Sequence, residues 1–463
     1  MRHLLFALLI CIGCGTAFAQ TNDTTARIDK LFSSWNNATP GGSILVARGT
    51  NIIYHKAYGM ADLERDVPNT NETIFEAGSV SKQFTAFSIL LLESEGKLSR
   101  TDDVRKYVPE LPVYQAPITI QHLLNHTSGL RDWGSVVSIT GWDRQKRGHT
   151  LAMALQVICR QQALNFKPGD EYSYSNSNYT ILTAVVERIS KQALEDFTKE
   201  KLFKPLGMTN TRWRSNYRKV IPRRAQAYGQ FDNETLIIMP IEDIYGHAGL
   251  LTTTGDLLKW NQLLETYQVG GEDIFKRRIE TNKLNNGSVN DYGAGITNSV
   301  ANSGFRVYSH SGATAGYRAM LMYYPQKKLS IAILSNDGGF APAKAGYEIS
   351  DIFLGHGPEQ PSSPEESDTK TNISYNAKEL NAFTGEFYSA DAGGTWKLRM
   401  KDNGLEAINE PLVTFPMTPT DQRDVFTADG LRIEFKKNKK GAITGFTATE
   451  SRARNVPFTK TSK

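Results

Sequence analysis

Cysteine is nearly absent from this chain: there are three in 463 residues, Cys11 and Cys14 fall within the first 19, and only Cys159 lies beyond them. A mature chain starting near Gln20 has no pair for an internal disulfide, so its stability has to come from a buried core. Charge of one sign is scarce too, since 53 Lys+Arg face 48 Asp+Glu, a formal net charge of +5 that becomes +4 without Arg2. With no concentrated basic run in the main part of the chain, nucleic-acid binding has no support. The eight histidines show no H-E-x-x-H spacing and there is no G-x-x-x-x-G-K phosphate loop. No metal and no cofactor are implied.

Long apolar runs are missing as well. Leu4 to Ile12 forms a run of about nine residues, whereas a bilayer-spanning helix needs roughly 20. With Arg2 before it and Ala17-Phe18-Ala19 after it, the segment 1–19 reads as a secretory signal. The expectation is an exported protein, periplasmic or extracellular, with no transmembrane segment. A lipid-anchored start at Cys14 is the alternative, although Cys11 stands where an aliphatic residue belongs.

One shift in composition divides the rest. Residues 357–374 are rich in Pro, Ser and acids and read as a linker. Beyond it, residues 375–463 alternate apolar and polar positions between turns at Asp402-Asn403-Gly404 and Lys439-Lys440-Gly441, which predicts a small antiparallel, barrel-like β domain. Before it, "GGSILVARGTNIIYHKAYG" and "AMLMYYPQKKLSIAILSN" read as hairpins, and "YTILTAVVERISKQ" carries one helical apolar stripe. The predicted fold of residues 20–356 is α/β (α+β): an antiparallel sheet built from strands at both ends, with a helical subdomain inserted between them.

The segment "FEAGSVSKQFTAF" at 75–87 opens a helix whose stripe is Val80, Phe84, Phe87 and Leu91, with Gly96 as its stop. Ser79 and Lys82 are i and i+3 and meet on one face, while Ser81 points elsewhere. Ser79 also stands at the positive end of the helix dipole, where a developing anion is favoured. S-x-x-K alone is a weak signal, expected by chance roughly one to two times in such a chain. Ser367 to Lys370 is another copy, in the linker.

Company raises its weight. Tyr174-Ser175-Asn176 and His310-Ser311-Gly312 follow it, one Y-x-N and one H-S-G in the whole chain. In order and spacing the three pieces resemble the active-site set of the serine penicillin-recognising enzymes. "ITIQHLLNHTSGL", "FKPGDEYSYSNSNY", "KPLGMTNT" and "GHAGLLTTTGDLLKW" extend the likeness over most of residues 28–356 to the class C β-lactamase and DD-peptidase-like family. The tail resembles the lipocalin-like β domain appended to some members.

That resemblance implies a serine hydrolase working through an acyl-enzyme on Ser79, with Lys82 and Tyr174 sharing the proton transfers as a coupled pair. Asn176 would orient Lys82 and donate to a substrate amide. His310, Ser311 and Gly312 would line the substrate site, and the backbone N–H groups of Ser79 and Ala313 would form the oxyanion hole. The substrates implied are small peptides, esters or amides, including cell-wall fragments and β-lactams. Histidine in place of lysine in the third motif removes a permanent cation and favours a peptidase or esterase over a β-lactamase. His310 as imidazolium would bind a carboxylate better as pH falls toward about 6, and Arg318 could supply the charge if its strand faces the cleft. A non-turnover sensor of penicillin or cell-wall fragments is the other class of function. His126 reads as structural, and His247 as structural or part of the cleft wall. The tail could cover the cleft, bind sugar or pair two chains.

Overall fold

The computed structural model describes residues 23–142, 144–355, 372–409 and 413–461. The expected signal segment 1–19 and nearly all of the expected linker lie outside the described residues, as does the linker's S-x-x-K.

Strands β1 (Gly42–Arg48) and β2 (Asn51–Tyr58) form the first hairpin, and the chain then leaves the sheet for a long helical insertion. It returns in β3 (Thr297–Val300), β4 (Arg306–Thr314), β5 (Tyr317–Tyr324) and β6 (Leu329–Ser335). The spatial order is β3-β4-β5-β6-β1-β2, antiparallel at each pairing. The two ends of residues 42–335 thus build one sheet, as the two hairpin patterns predict. Ile44, Val46, Ile331 and Ile333 point to one face, against Ile28, Phe32 and Ile349 from flanking helices. Leu45, Ala47, Ala332 and Leu334 point to the other, into the main core. Burial on both faces explains why these strands read as continuous apolar runs.

The central helix α1 (Lys82–Ser94) is buried from Lys82 to Leu92, with the Phe84 ring stacked 4.1 Å from Trp260. A helix apolar on all sides belongs in the middle of a core. Helix α2 (Asn176–Ser190) packs beside it.

Strands from Gly385–Ser389 to Ala453–Lys460 close into an eight-stranded antiparallel barrel. Side chains fill its interior: Phe387, Trp396, Phe435, Phe446 and Phe458 are buried, and the Phe446 and Phe458 rings stack at 4.7 Å. Small barrels are commonly filled in this way. The barrel is docked on the helical region. Arg131 Nη1 pairs with Asp391 Oδ2 at 2.8 Å, and Trp396 Nε1 donates to the Ile139 carbonyl at 2.9 Å.

Candidate active site

Strand Phe75–Glu76 pairs with Leu250–Thr252, then runs into a tight turn, Gly78–Ser81, that feeds α1. Gly78 has φ of 50°, and a Cβ there would stand 2.6 Å from Ala313 N, so the turn needs glycine for both its backbone and its close approach to β4. Two serines follow. Ser81 is fully buried and its hydroxyl accepts the Leu250 N–H at 3.1 Å, a structural bond. Ser79 is half-buried and lines the cleft.

Lys82 is fully buried, and its Nζ lies 3.2 Å from Ser79 Oγ, 2.9 Å from Asn176 Oδ1 and 2.7 Å from the His247 carbonyl oxygen. Burial pushes its pKa well below the ordinary lysine value; Asp132 opposes this, and Arg144 and Arg452 add to it. A neutral amine has two N–H groups and one lone pair. In that form Asn176 and His247 would take the two protons and the lone pair would be left to receive the Ser79 O–H.

Tyr174 stands across from this pair, with its ring centroid 4.8 Å from Lys82 Nζ. Its phenol oxygen is buried and has no hydrogen-bond partner of normal length among the described residues. Burial holds the phenol protonated, above its usual pKa, with the Ser79 hydroxyl acting in the opposite sense. His126 supports the segment from behind: its Nδ1 accepts the Ser175 N–H at 3.2 Å, and its ring packs 4.4 Å from Tyr174. It positions the tyrosine without lining the cleft.

Asn176 begins α2, and Ser175 makes no side-chain cap. The cap comes instead from Asp132, whose Oδ2 accepts the Asn176 N–H at 2.6 Å while Oδ1 accepts Ser135 N–H at 3.1 Å. A buried carboxylate at two helix starts is favoured by both dipoles.

His310, Ser311 and Gly312 lie on β4. The strand is interior to the sheet, but its pairing with β3 stops at Ser309, so the stretch from His310 onward is free to face the Ser79 turn. A Cβ on Gly312 would lie 2.1 Å from the Ala77 carbonyl oxygen and 3.1 Å from Ser79 N. That contact brings the Ser79 and Ala313 N–H groups onto facing segments. The His310 ring is held by Tyr292 OH at 2.8 Å and the Ser311 carbonyl at 2.5 Å. Burial pulls its pKa to about 4, and Lys82 adds to the effect when it is protonated. The imidazolium expected near pH 6 is therefore not formed there, because a ring this buried loses its charge first.

The cleft at Ser79 has a volume of about 470 Å³ and is lined by Tyr174, Asn176, His247, His310, Ser311, Gly312 and Ala313. An adjoining lobe of about 500 Å³ shares Arg144, Arg318 and Arg452 with it. Arg318 does face the cleft. Sequence reasoning missed Asp132, Arg144, the His247 carbonyl and Arg452. Asp132 carried a legible signal, an Asp before a helix start; the backbone carbonyl and the distant arginines carried none.

The family described as Beta-lactamase matches residues 23–351. Penicillin-binding protein 4* of Bacillus subtilis (strain 168) is 32% identical over 310 residues, which is 64% of this chain and 68% of that protein. Among solved structures, the octameric penicillin-binding protein homologue from Pyrococcus abyssi shares the fold with a TM-score of 0.63 and 22% identity, over 95% of this chain and 99% of that one. A D-stereospecific amidohydrolase from Streptomyces sp. shares it with a TM-score of 0.60 and 18% identity, over 72% of this chain and 99% of that one.

Proposed function

Because this chain belongs to the Beta-lactamase family, whose members are serine hydrolases, we propose that it cleaves amide or ester bonds through an acyl-enzyme on Ser79 and that its chemistry is of the peptidase type. The observation that carries this reading is the buried Lys82 amine, 3.2 Å from Ser79 Oγ with its two N–H groups committed to oxygen acceptors.

Ser79 Oγ attacks the carbonyl carbon as its proton passes to Lys82 Nζ, and the substrate oxygen takes up the negative charge between the N–H groups of Ser79 and Ala313. The Tyr174 phenol gives its proton to the leaving nitrogen or oxygen and recovers one from Lys82. The carbon–heteroatom bond breaks and the acyl group stays on Ser79. Water then attacks the ester, its proton passes to Lys82, and Ser79 Oγ leaves with a proton. Asn176 holds Lys82 and offers its amide to the substrate. A neutral His310 favours uncharged peptide contacts over the fixed cation of an efficient β-lactamase, and the relatives named for penicillin binding and D-stereospecific amide hydrolysis point to the same substrate class.

The reading of residues 1–19 places this chemistry outside the cytoplasm. Among the described residues no helix is long and apolar enough to cross a membrane. We take residues 20–356 as the catalytic unit and 375–463 as the appended barrel.

Intact mass spectrometry after brief exposure to a penicillin and, separately, to a fluorophosphonate tests the nucleophile. An adduct on the wild type and none on Ser79→Ala is expected, and labelling that survives Ser79→Ala rejects the assignment. A penicillin adduct that never turns over would move the function to the sensor class.

A further inference from the structure

One wall of the cleft comes from the barrel. Arg452 occupies the tip between strands Ile443–Glu450 and Ala453–Lys460, and it lines both lobes in front of Ser79. The tip is fixed rather than draped. The Arg452 carbonyl accepts the Asp132 N–H at 3.1 Å and Asn165 Nδ2 at 3.0 Å, and Arg454 N–H returns to Asn165 Oδ1 at 2.8 Å.

The backbone is tied, yet the guanidinium is not. Asp132 Oδ2 is 3.8 Å from Arg452 Nη1, beyond hydrogen-bond length, and the Asp132 oxygens already serve Ser135 and Asn176. Among the described residues the Arg452 side chain makes no hydrogen bond; its guanidinium lies 5.7 Å from the Tyr174 ring centroid, and the side chain is 37% exposed. The other two cleft arginines are committed. Arg144 grips Glu242, and Arg318 donates to the carbonyls of Ala315 and Tyr317. The hairpin's own acid, Glu450, lines the outer lobe but not the Ser79 lobe.

We propose that Arg452 is a specificity-determining residue that receives a substrate carboxylate beside the scissile bond, so that the barrel completes the substrate site. A half-desolvated guanidinium with unused donors suits a carboxylate, which it can hold through two parallel N–H···O bonds. An uncharged amide offers no such match. The assignment also supplies the cation that a neutral His310 does not. It rests on the acyl-enzyme reading above and narrows the substrates to peptides or esters with a free carboxylate.

The test pairs two thioesters of benzoyl-D-alanine, one releasing thioglycolate and the other thioglycolamide, with thiol release as the readout. Arg452→Gln should lose about 10- to 100-fold in kcat/KM on the thioglycolate ester and change little on the thioglycolamide. Arg452→Lys should recover part of the loss. Equal losses on both esters would mean a structural role and overturn the proposal, as would wild-type indifference to the charge. If the wild type cleaves neither ester while a fluorophosphonate still labels Ser79, the carboxylate class is wrong; if Ser79 takes no label, the acyl-enzyme reading itself fails.

Discussion

Arg131 and Asp391 meet at 2.8 Å across the junction of the helical region and the barrel, with side chains only 2% and 6% exposed. The guanidinium also donates to Gln161 Oε1 and to the carbonyls of Arg454 and Asn455, so one residue gathers the barrel's second and last strand ends beside the cleft. Asp391→Ala leaves a buried cation unpaired, which costs about 3–5 kcal/mol in such settings. The expected result is a lowered denaturant midpoint. Replacing both partners with apolar residues should recover most of that loss, because it removes the stranded charge. A single variant as stable as the wild type would show that the pair contributes nothing.

Lys82→Arg keeps N–H donors but puts a permanent cation where the neutral amine works, and it cannot accept a proton at any working pH. Turnover should fall by about 10²- to 10⁴-fold. In the wild type the pH profile follows the same logic. Activity requires the neutral amine and is lost as pH drops through a lysine pKa held far below its usual value by burial, while the Tyr174 phenol stays protonated well into the alkaline range. The acid limb of the kcat/KM profile should therefore lie below the ordinary lysine pKa, with no alkaline loss at the ordinary tyrosine pKa, both about 10. A rate still climbing at that pH would sink the assignment of Lys82 as the proton acceptor.

Four buried histidines make the fold sensitive to acid. His126, His149, His247 and His310 all have pKa values lowered by burial, that of His310 to about 4. The unfolded chain takes up protons below about pH 6.5 that the native state refuses, so stability falls as pH drops, by up to about 1.4 kcal/mol per pH unit for each ring. His126 has a concrete reason to resist. Its Nδ1 lone pair faces the Ser175 N–H and the Asn178 amide nitrogen, which is 3.0 Å away. Urea titrations at pH 7, 6 and 5 should show a steady decline, and a flat series would contradict it.

The sheet was legible because both of its hairpins announce themselves by local pattern, and short connections, two residues after Arg48 and four after Tyr324, fix which strands meet. The Ser79 and Lys82 contact was legible for a similar reason, since i and i+3 on a helix must touch. What brings Tyr174 and His310 to them is different. It depends on the Asp132 cap that sets the start of α2, and on the β3–β4 pairing stopping at Thr297 and Ser309 so that the rest of β4 is left open. Neither fact has a sequence period. Arg452 was least legible of all, because its place depends on how an entire barrel docks through Asp391 and Trp396. The depth of His310 was illegible for a related reason: a reference pKa describes an exposed ring, and burial is not visible in the motif.

Gly312 offers a test of the oxyanion pocket that leaves every titrating group in place. A methyl group there would collide with the Ala77 carbonyl oxygen at 2.1 Å, and that oxygen belongs to the backbone just before the Ser79 turn. Backbone cannot swing aside as a side chain can, so Gly312→Ala must push β4 and the turn apart. The Ala313 and Ser79 N–H groups would then no longer converge on one oxygen. Acylation should slow by about 100-fold, the loss typical of one missing oxyanion donor. Ser311→Ala, one residue away on the exposed face of the strand, introduces no collision and should leave the spacing of β4 and the turn intact. Circular dichroism would confirm that the Gly312 variant still folds. If its acylation rate matched the wild type, the two N–H groups could not be the pair that holds the developing charge.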